Sequence, residues 1–371
     1  MTAFRFEVQA RDPGTHARAG IATTAHGSFE TPVFMPVGTV GSVKGIPPWE
    51  VERSGSRILL GNTYHLYLRP GMEVVERLGG LHRMMGWNGS ILTDSGGYQV
   101  FSLAALVKLS EQGVTFRSHL DGSKHLLTPE IAVEIQETLG ADIMMALDEC
   151  PARDADAAYA EKSMALTTRW ALRCLAARRG GNALFCICQG GMHAELRRRH
   201  AQELAELPFE GCAIGGLSIG ESKAQMAEML AASVEALPEG KPRYLMGVGR
   251  PADILRAVAA GLDMFDCVLP TRTGRNGLLF TSRGEVSIKQ ERYRLDDSRL
   301  DPECDCPTCR HFSRAYLRHL FHAGEMLGPV LNTTHNMWFY QRLMREIRKA
   351  IEEGRYSELT TEWGEKVGRK A

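Results

Sequence analysis

The chain has no net charge: 44 Lys plus Arg are balanced by 44 Asp plus Glu across 371 residues. A polycationic surface is thereby excluded, and any contact with nucleic acid has to come from a local basic patch. Long apolar runs are lacking too. No stretch approaches the ~20 residues a helix needs to cross a bilayer. The opening MTAFRFEVQARD has no apolar segment ending in a small-residue cleavage site. A cytoplasmic protein is the expectation. An odd cysteine count, nine, in a chain expected to be cytoplasmic argues against a disulfide framework as well. Six cysteines are scattered (Cys150, Cys174, Cys186, Cys188, Cys212, Cys267), mostly in apolar runs where a thiol acts as a small hydrophobe. No internal repeat or low-complexity segment occurs. The glycine fingerprint of dinucleotide binding does not follow the first strand, which weighs against an open nucleotide-binding sheet.

What is present is a rhythm. Short apolar, β-branched-rich runs recur at 31–38, 56–62, 90–97, 142–150, 183–191, 212–220, 243–249 and 264–270. Such runs suit parallel strands buried on both faces. Helical patterns lie between many of them, at 128–140, 221–237 and 251–263, the first opening on Thr-Pro and stopping at Gly140. Eight strands alternating with helices predict an α/β fold, a (β/α)8 TIM barrel, over residues 1–277. Residues 278–335 read as an insertion before the last barrel helix, beginning with a hairpin at 278–289 that turns at Arg-Gly. Residues 336–371 read as that last helix, amphipathic over 336–354, and a fraying polar tail.

The insertion holds Cys304-x-Cys306-x-x-Cys309, three thiols within six residues. Tetrahedral zinc needs a fourth ligand. His311 is too close in sequence, and His319 and His322 fall on a predicted helix. His335, in TTHN, is preferred because a residue at a helix entrance can be aimed inward. A closed Cys3His site leaves no open position, so one such Zn(2+) per chain is expected to be structural.

Three strands end in an aspartate: Asp94 in TDSGG, Asp148 in ALDEC and Asp266 in MFDCV. One alone would pass for a helix cap. Three at one barrel mouth offer a nucleophile, an acid/base and a binding carboxylate. Arg272 and Arg275 follow Asp266 in a glycine-punctuated loop suited to an anion or a base.

TDSGGYQ, LDEC, QGG, AIGGLSIGE, YLMGVGRP, FDCVLPTRTGRNG and CDCPTC with a later histidine together resemble the tRNA-guanine transglycosylases (the queuine tRNA-ribosyltransferase family), in particular the bacterial members that act in queuosine biosynthesis. The resemblance runs from about Phe4 to the last helix. It implies a pentosyltransferase that exchanges the wobble guanine of U-G-U anticodon tRNAs for a 7-deazaguanine. By this match Asp266 is the nucleophile on the ribose, and Asp94 moves protons to and from the base. Asp148, Gln189, Ser95 and the backbone of Gly216 and Leu217 read the base edge, while Tyr98 and Met246 sandwich the ring. Arg272 and Arg275 read the anticodon loop and Arg250 tracks phosphates. Cys150 and Ile219 bear on which base enters; this pair implies the short 7-aminomethyl-7-deazaguanine (preQ1) over bulky queuine. The resemblance also implies a homodimer through the zinc region, where Phe312, Tyr316 and His319 form a stripe. A non-catalytic RNA-binding subunit would not need Asp94 and Asp266. A metal-dependent barrel hydrolase would need histidines at the strand ends, and none cluster there.

Overall fold

A computed structural model of the chain describes residues 4–367. Strand alternation explains its centre. Residues such as Val33, Met35, Leu60, Met145, Phe185, Ile187 and Tyr244 form one buried cluster inside a barrel. Their neighbours Phe34, Leu59, Met144, Leu184, Cys186 and Phe265 belong to a second cluster beneath the surrounding helices. Period-2 strands with both faces buried produce this division.

All eight expected strands are present and parallel: Val33–Met35 with Val37–Gly38, then Ile58–Gly61, Ser90–Thr93, Ile143–Met145, Ala183–Cys188, Gly211–Ile214, Arg243–Leu245 and Met264–Asp266. The first is one strand interrupted at Pro36, which has no N–H for the ladder. Its first half pairs with Met264–Asp266 and its second half with Ile58–Gly61. The Pro36 carbonyl still accepts from Leu60 N–H at 2.9 Å. The sheet therefore ends where it began, and the barrel is closed.

The predicted helices appear as Pro129–Leu139, Lys223–Val234 and Pro251–Ala259, the second fixed by a capping box of Ser222 and Gln225. Two antiparallel sheets were not anticipated. Arg5–Arg11, Arg18–Thr24 and Gly27–Thr31 close the bottom of the barrel, with Ala22 and Phe29 joining its inner cluster. There Arg18 grips Asp263 through two hydrogen bonds, at 2.9 and 2.6 Å. The other sheet, Ala105–Leu109, Val114–Arg117 and Lys124–Leu127, reaches the helix Thr63–Leu68 through Tyr64–His119 and Tyr67–His125 hydrogen bonds.

Beyond residue 277 three expectations need correction. The hairpin Leu278–Thr281 and Gly284–Ser287 turns at Ser282 and Arg283, one residue before the predicted Arg-Gly. The last long helix begins at Leu327 and runs to Glu352, so His335 lies in its body rather than at its entrance. Pro329 is tolerated because it falls in the first turn, where N–H groups have no helical acceptor. Burial of Asn332, Thr333, Thr334, His335 and Asn336 overrides their weak helix propensity. The tail does not fray over its described part: Tyr356–Val367 is a helix with Tyr356, Leu359 and Trp363 buried. Among the described residues no helix is long and apolar enough to cross a membrane.

Candidate active site and metal cluster

The carboxyl ends of the barrel strands surround a cavity of about 640 Å³. Asp94, Ser95, Tyr98, Asp148, Cys150, Gln189, Gly216, Leu217, Met246, Arg250, Asp266 and Arg272 all line it, so residues spread over nearly two hundred positions converge. Arg275 does not line it. It ends a short helix, Leu269–Arg275, where a loop was expected, and one of its guanidinium nitrogens is buried without a partner.

Asp266 ends the eighth strand, and both of its donors bind one oxygen. Tyr244 hydroxyl and Gly247 N–H reach Oδ1 at 2.5 and 2.7 Å. Among the described residues no hydrogen bond engages Oδ2. Burial raises the Asp266 carboxyl above the usual range, partly offset by those two bonds.

Asp94 follows the third strand. It accepts from Asn62 Nδ2, from Thr63 N–H at 2.8 Å and from Gln99 Nε2 at 2.8 Å. Burial nevertheless pushes it up to about 6, and the charge of Asp266 adds to the rise. A carboxyl that changes protonation near neutral pH suits proton transfer.

Asp148 is held by Gln189 Nε2 at 2.7 Å and Ser95 Oγ at 3.3 Å, and burial pushes it to about 6 as well. Gln189 Oε1 is buried with no partner, an acceptor left open at the cavity floor. Beside it, Ser218 and Ile219 N–H both donate to Glu221, the latter at 2.9 Å. Tyr98 lines the cavity from the helix Gly97–Leu103 and is 54% exposed, whereas Met246 both lines the cavity and packs on the barrel interior. Arg250 is tied to Glu285 of the hairpin at 3.1 Å, and Arg272 is exposed on the rim.

Several residues of this site carried no distinctive sequence signal. Asn62, Thr63, Gln99 and Tyr244 are ordinary polar residues until the fold places them on Asp94 and Asp266. Glu149, next to Asp148, is buried with Oε2 unpartnered, and burial pushes it to about 7. His65, also in the lining, has its pKa lowered by burial and by His119 and Lys44.

The cysteine cluster closes as expected. One ligand atom from each of Cys304, Cys306, Cys309 and His335 lies within 4.8 Å of the others, and all four residues are buried. His335 Nδ1 is 3.6 Å from Cys306 Sγ and 3.3 Å from Cys309 Sγ. Its Nε2 bonds the Phe280 carbonyl at 2.7 Å, which leaves Nδ1 free to ligate. This concentration of soft donors fits a metal ion. His319 and His322 lie elsewhere, on Arg314–Ala323. Phe312, just ahead of that helix, stacks on Tyr316 at 5.4 Å, and Tyr316 lies 6.4 Å from His319.

Residues 12–369 match the family described as Queuine tRNA-ribosyltransferase. The chain belongs to the queuine tRNA-ribosyltransferase family, the tRNA-guanine transglycosylases. It is 58% identical to the queuine tRNA-ribosyltransferase of Solidesulfovibrio magneticus over 93% of this chain and 94% of that one. It is 57% identical to that of Nitratidesulfovibrio vulgaris, covering 95% and 94%. For the protein of that name from Thermoanaerobacter sp. the identity is 52%, covering 100% and 99%. The family match spans both the barrel and the cysteine cluster.

Proposed function

We propose that this enzyme exchanges the wobble guanine of U-G-U anticodon tRNAs for 7-aminomethyl-7-deazaguanine, through a covalent bond between Asp266 and the ribose. The observation that carries this reading is the one-sided solvation of Asp266: both donors hold Oδ1, leaving Oδ2 for attack in the same cavity as Asp94 and the Asp148–Gln189 pair. Oδ2 bonds to C1′ as the C1′–N9 bond breaks, and the electron pair departs with guanine. Asp94 supplies the proton that guanine takes up. It then removes the N9 proton of the incoming base, whose nitrogen attacks C1′ and releases the Asp266 carboxylate. Two inversions preserve the β-configuration, and one hard displacement becomes two easier ones.

Asp148 accepts from the ring N–H and amino group of the base, and Gly216 and Leu217 face its carbonyl. Tyr98 and Met246 cover its two faces, as extruded bases require. The orientation of the Leu217–Ser218 peptide supports the choice of base. Its N–H is held by Glu221, and a trans planar peptide turns the Leu217 carbonyl the opposite way. That carbonyl is an acceptor for an aminomethyl group, while Ile219 fills the space a cyclopentenediol would need.

Arg272 and Arg275 would read the loop, Arg275 only after turning out of its present partly buried position. Arg250 would meet a phosphate by releasing Glu285. Zinc is the ion the Cys3His set suits: thiolates of Cys304, Cys306 and Cys309 and His335 Nδ1 would hold it, and it would lock the cysteine segment to the long helix Leu327–Glu352. The Phe312–Tyr316–His319 surface is the proposed dimer contact.

The test is incubation with tRNA and radiolabelled guanine, followed by a denaturing gel with a deazaguanine present. Incorporation and a slow-migrating adduct are expected. An adduct of equal yield from Asp266→Asn would move the nucleophile elsewhere, with Asp94 the first candidate. Competition between the two bases decides the substrate, and efficient queuine insertion would overturn the assignment.

A further inference from the structure

Beneath the cavity floor, the helix Ala194–Ala205 turns two polar side chains inward, Arg197 and His200, and both are fully buried. Burial pushes His200 down to about 4, so it is neutral, and its Nδ1 accepts from Gln189 N–H at 2.9 Å. Arg197 donates Nε to the Gly191 carbonyl at 2.7 Å. Its Nη1 and Nη2 both reach the Gly215 carbonyl at 3.1 Å, and Nη2 also meets the Gly216 carbonyl at 3.3 Å. Among the described residues no carboxylate forms an ion pair with it. A guanidinium buried without a counter-ion is unfavourable. Its effect on those carbonyls is therefore the place to look for its role.

The Gly215 carbonyl and the Gly216 N–H belong to one peptide, as do the Gly216 carbonyl and the Leu217 N–H. Because each peptide is trans and planar, clamping the carbonyls on Arg197 sends both N–H groups the other way. Neither N–H meets an acceptor among the described residues, and both residues line the cavity. Gly216 has φ +66°, and a Cβ there would stand 2.7 Å from Gln189 Oε1, so the turn admits little but glycine.

We propose that Arg197 is a positioning residue that locks the Gly216 and Leu217 amides into a preformed pair of donors for the carbonyl of a guanine-type base. The proposal rests on the transglycosylase reading above and adds to it the device that presets the base reader. The buried positive charge also polarises both peptides, so their N–H groups gain strength as negative charge grows on the departing base. The clamp thus favours a 6-oxo purine over one that carries hydrogen or an amino group at that position.

Arg197→Lys and Arg197→Gln test it, with thermal melting as the check on folding. Guanine exchange should fall about 100-fold in kcat for Arg197→Gln, the size expected when an oxyanion-type donor is misplaced, and less for Arg197→Lys. Binding of 2-aminopurine, which lacks the carbonyl, should stay within about twofold of wild type. Equal losses for both bases would make Arg197 a mere structural support, and unchanged exchange would likewise overturn the proposal. Wild-type protein provides a measurement independent of variant folding. Amide hydrogen exchange in residues 215–219 should slow on adding guanine and not on adding 2-aminopurine. No slowing with guanine would overturn the clamp. A wild-type protein that binds guanine in this way but fails to exchange it into tRNA would overturn the transglycosylase reading instead.

Discussion

Asp263 and Asp266 stand three residues apart, one just before the eighth barrel strand and one at its end, yet they live in opposite chemical surroundings. Burial raises both carboxyls. Only Asp263 has a cation against it, the buried Arg18 in a two-bond grip, with Arg243 N–H adding a third bond at 2.6 Å. Asp266 has a phenol and one amide, both on one oxygen. The fourth strand repeats the contrast. Asp142, before it, is contacted by His26 at 2.8 Å and His82 at 3.3 Å, whose bonds hold it below its ordinary value despite burial. Asp148, beyond it, has only neutral donors. The bottom of the barrel holds its carboxylates with a guanidinium and two imidazoles; the top gives them only neutral donors.

The largest expected break in that contrast comes from Asp263→Ala. Removing one partner of a buried ion pair strands Arg18 and should reduce stability by about 3–5 kcal/mol. Asp266→Asn should melt at or above wild type while losing the covalent adduct. Urea unfolding of the two variants would erase the distinction if the losses were equal.

A second effect is set by pH. Asp94 and Asp148 bind protons more tightly folded than unfolded, with values raised from 3.8 to about 6. The stability this supplies is full below about pH 4 and is lost as pH rises through 6. Asp94→Asn and Asp148→Asn should therefore be more stable than wild type at pH 8, by about 1–3 kcal/mol each. That advantage should vanish at pH 4, and unfolding curves at both pH values would show it.

Third, tRNA affinity should fall with salt, and Arg250→Ala at the top should flatten the slope by about one counterion. Arg11→Ala at the bottom, which breaks only an exposed pair with Glu239, should leave the slope unchanged. Filter binding across salt concentrations compares them.

The smallest effect is His82→Ala, about 1 kcal/mol at pH 6, because its Nε2 is shared between the Gly89 carbonyl at 3.0 Å and Asp142 at 3.3 Å. Because the Asp142 pKa is depressed, the Asp142 share of this contribution is present above about pH 4. It disappears as pH falls further, which denaturation at pH 3 and 6 would reveal.

The eight barrel strands were legible because both faces of each are buried, so most residues of a run are apolar. The bottom sheet was not. In Arg5–Arg11 no residue is fully buried, and alternation with charges leaves a faint pattern. Tyr356, Leu359 and Trp363 did carry helical spacing, at i, i+3 and i+7, but in a segment whose polar composition masked it. The same masking hid Arg197 and His200. In AELRRRHAQELA they look like a solvated face, although Arg197, His200, Ala201 and Leu204 share one stripe. Asp94, Asp148 and Asp266 could be found from their places at strand ends. Their donors could not, because Asn62, Tyr244 and Gln99 acquire meaning only through the closure of the barrel.

One helix, Leu327–Glu352, connects regions that would otherwise report separately. Within two turns His335 faces the cysteines, Asn336 Nδ2 holds the Pro270 carbonyl at 2.9 Å, Tyr340 hydroxyl holds the Gly249 carbonyl, and Gln341 holds that of Phe34 at 3.1 Å. Pro270 and Gly249 flank the segments that carry Arg272 and Arg250. An ion held at the cysteines would thus brace the pocket wall from outside it. A sample half-loaded with metal would behave as two populations, one intact and one slack, with total turnover tracking occupancy and the KM of the intact fraction unchanged.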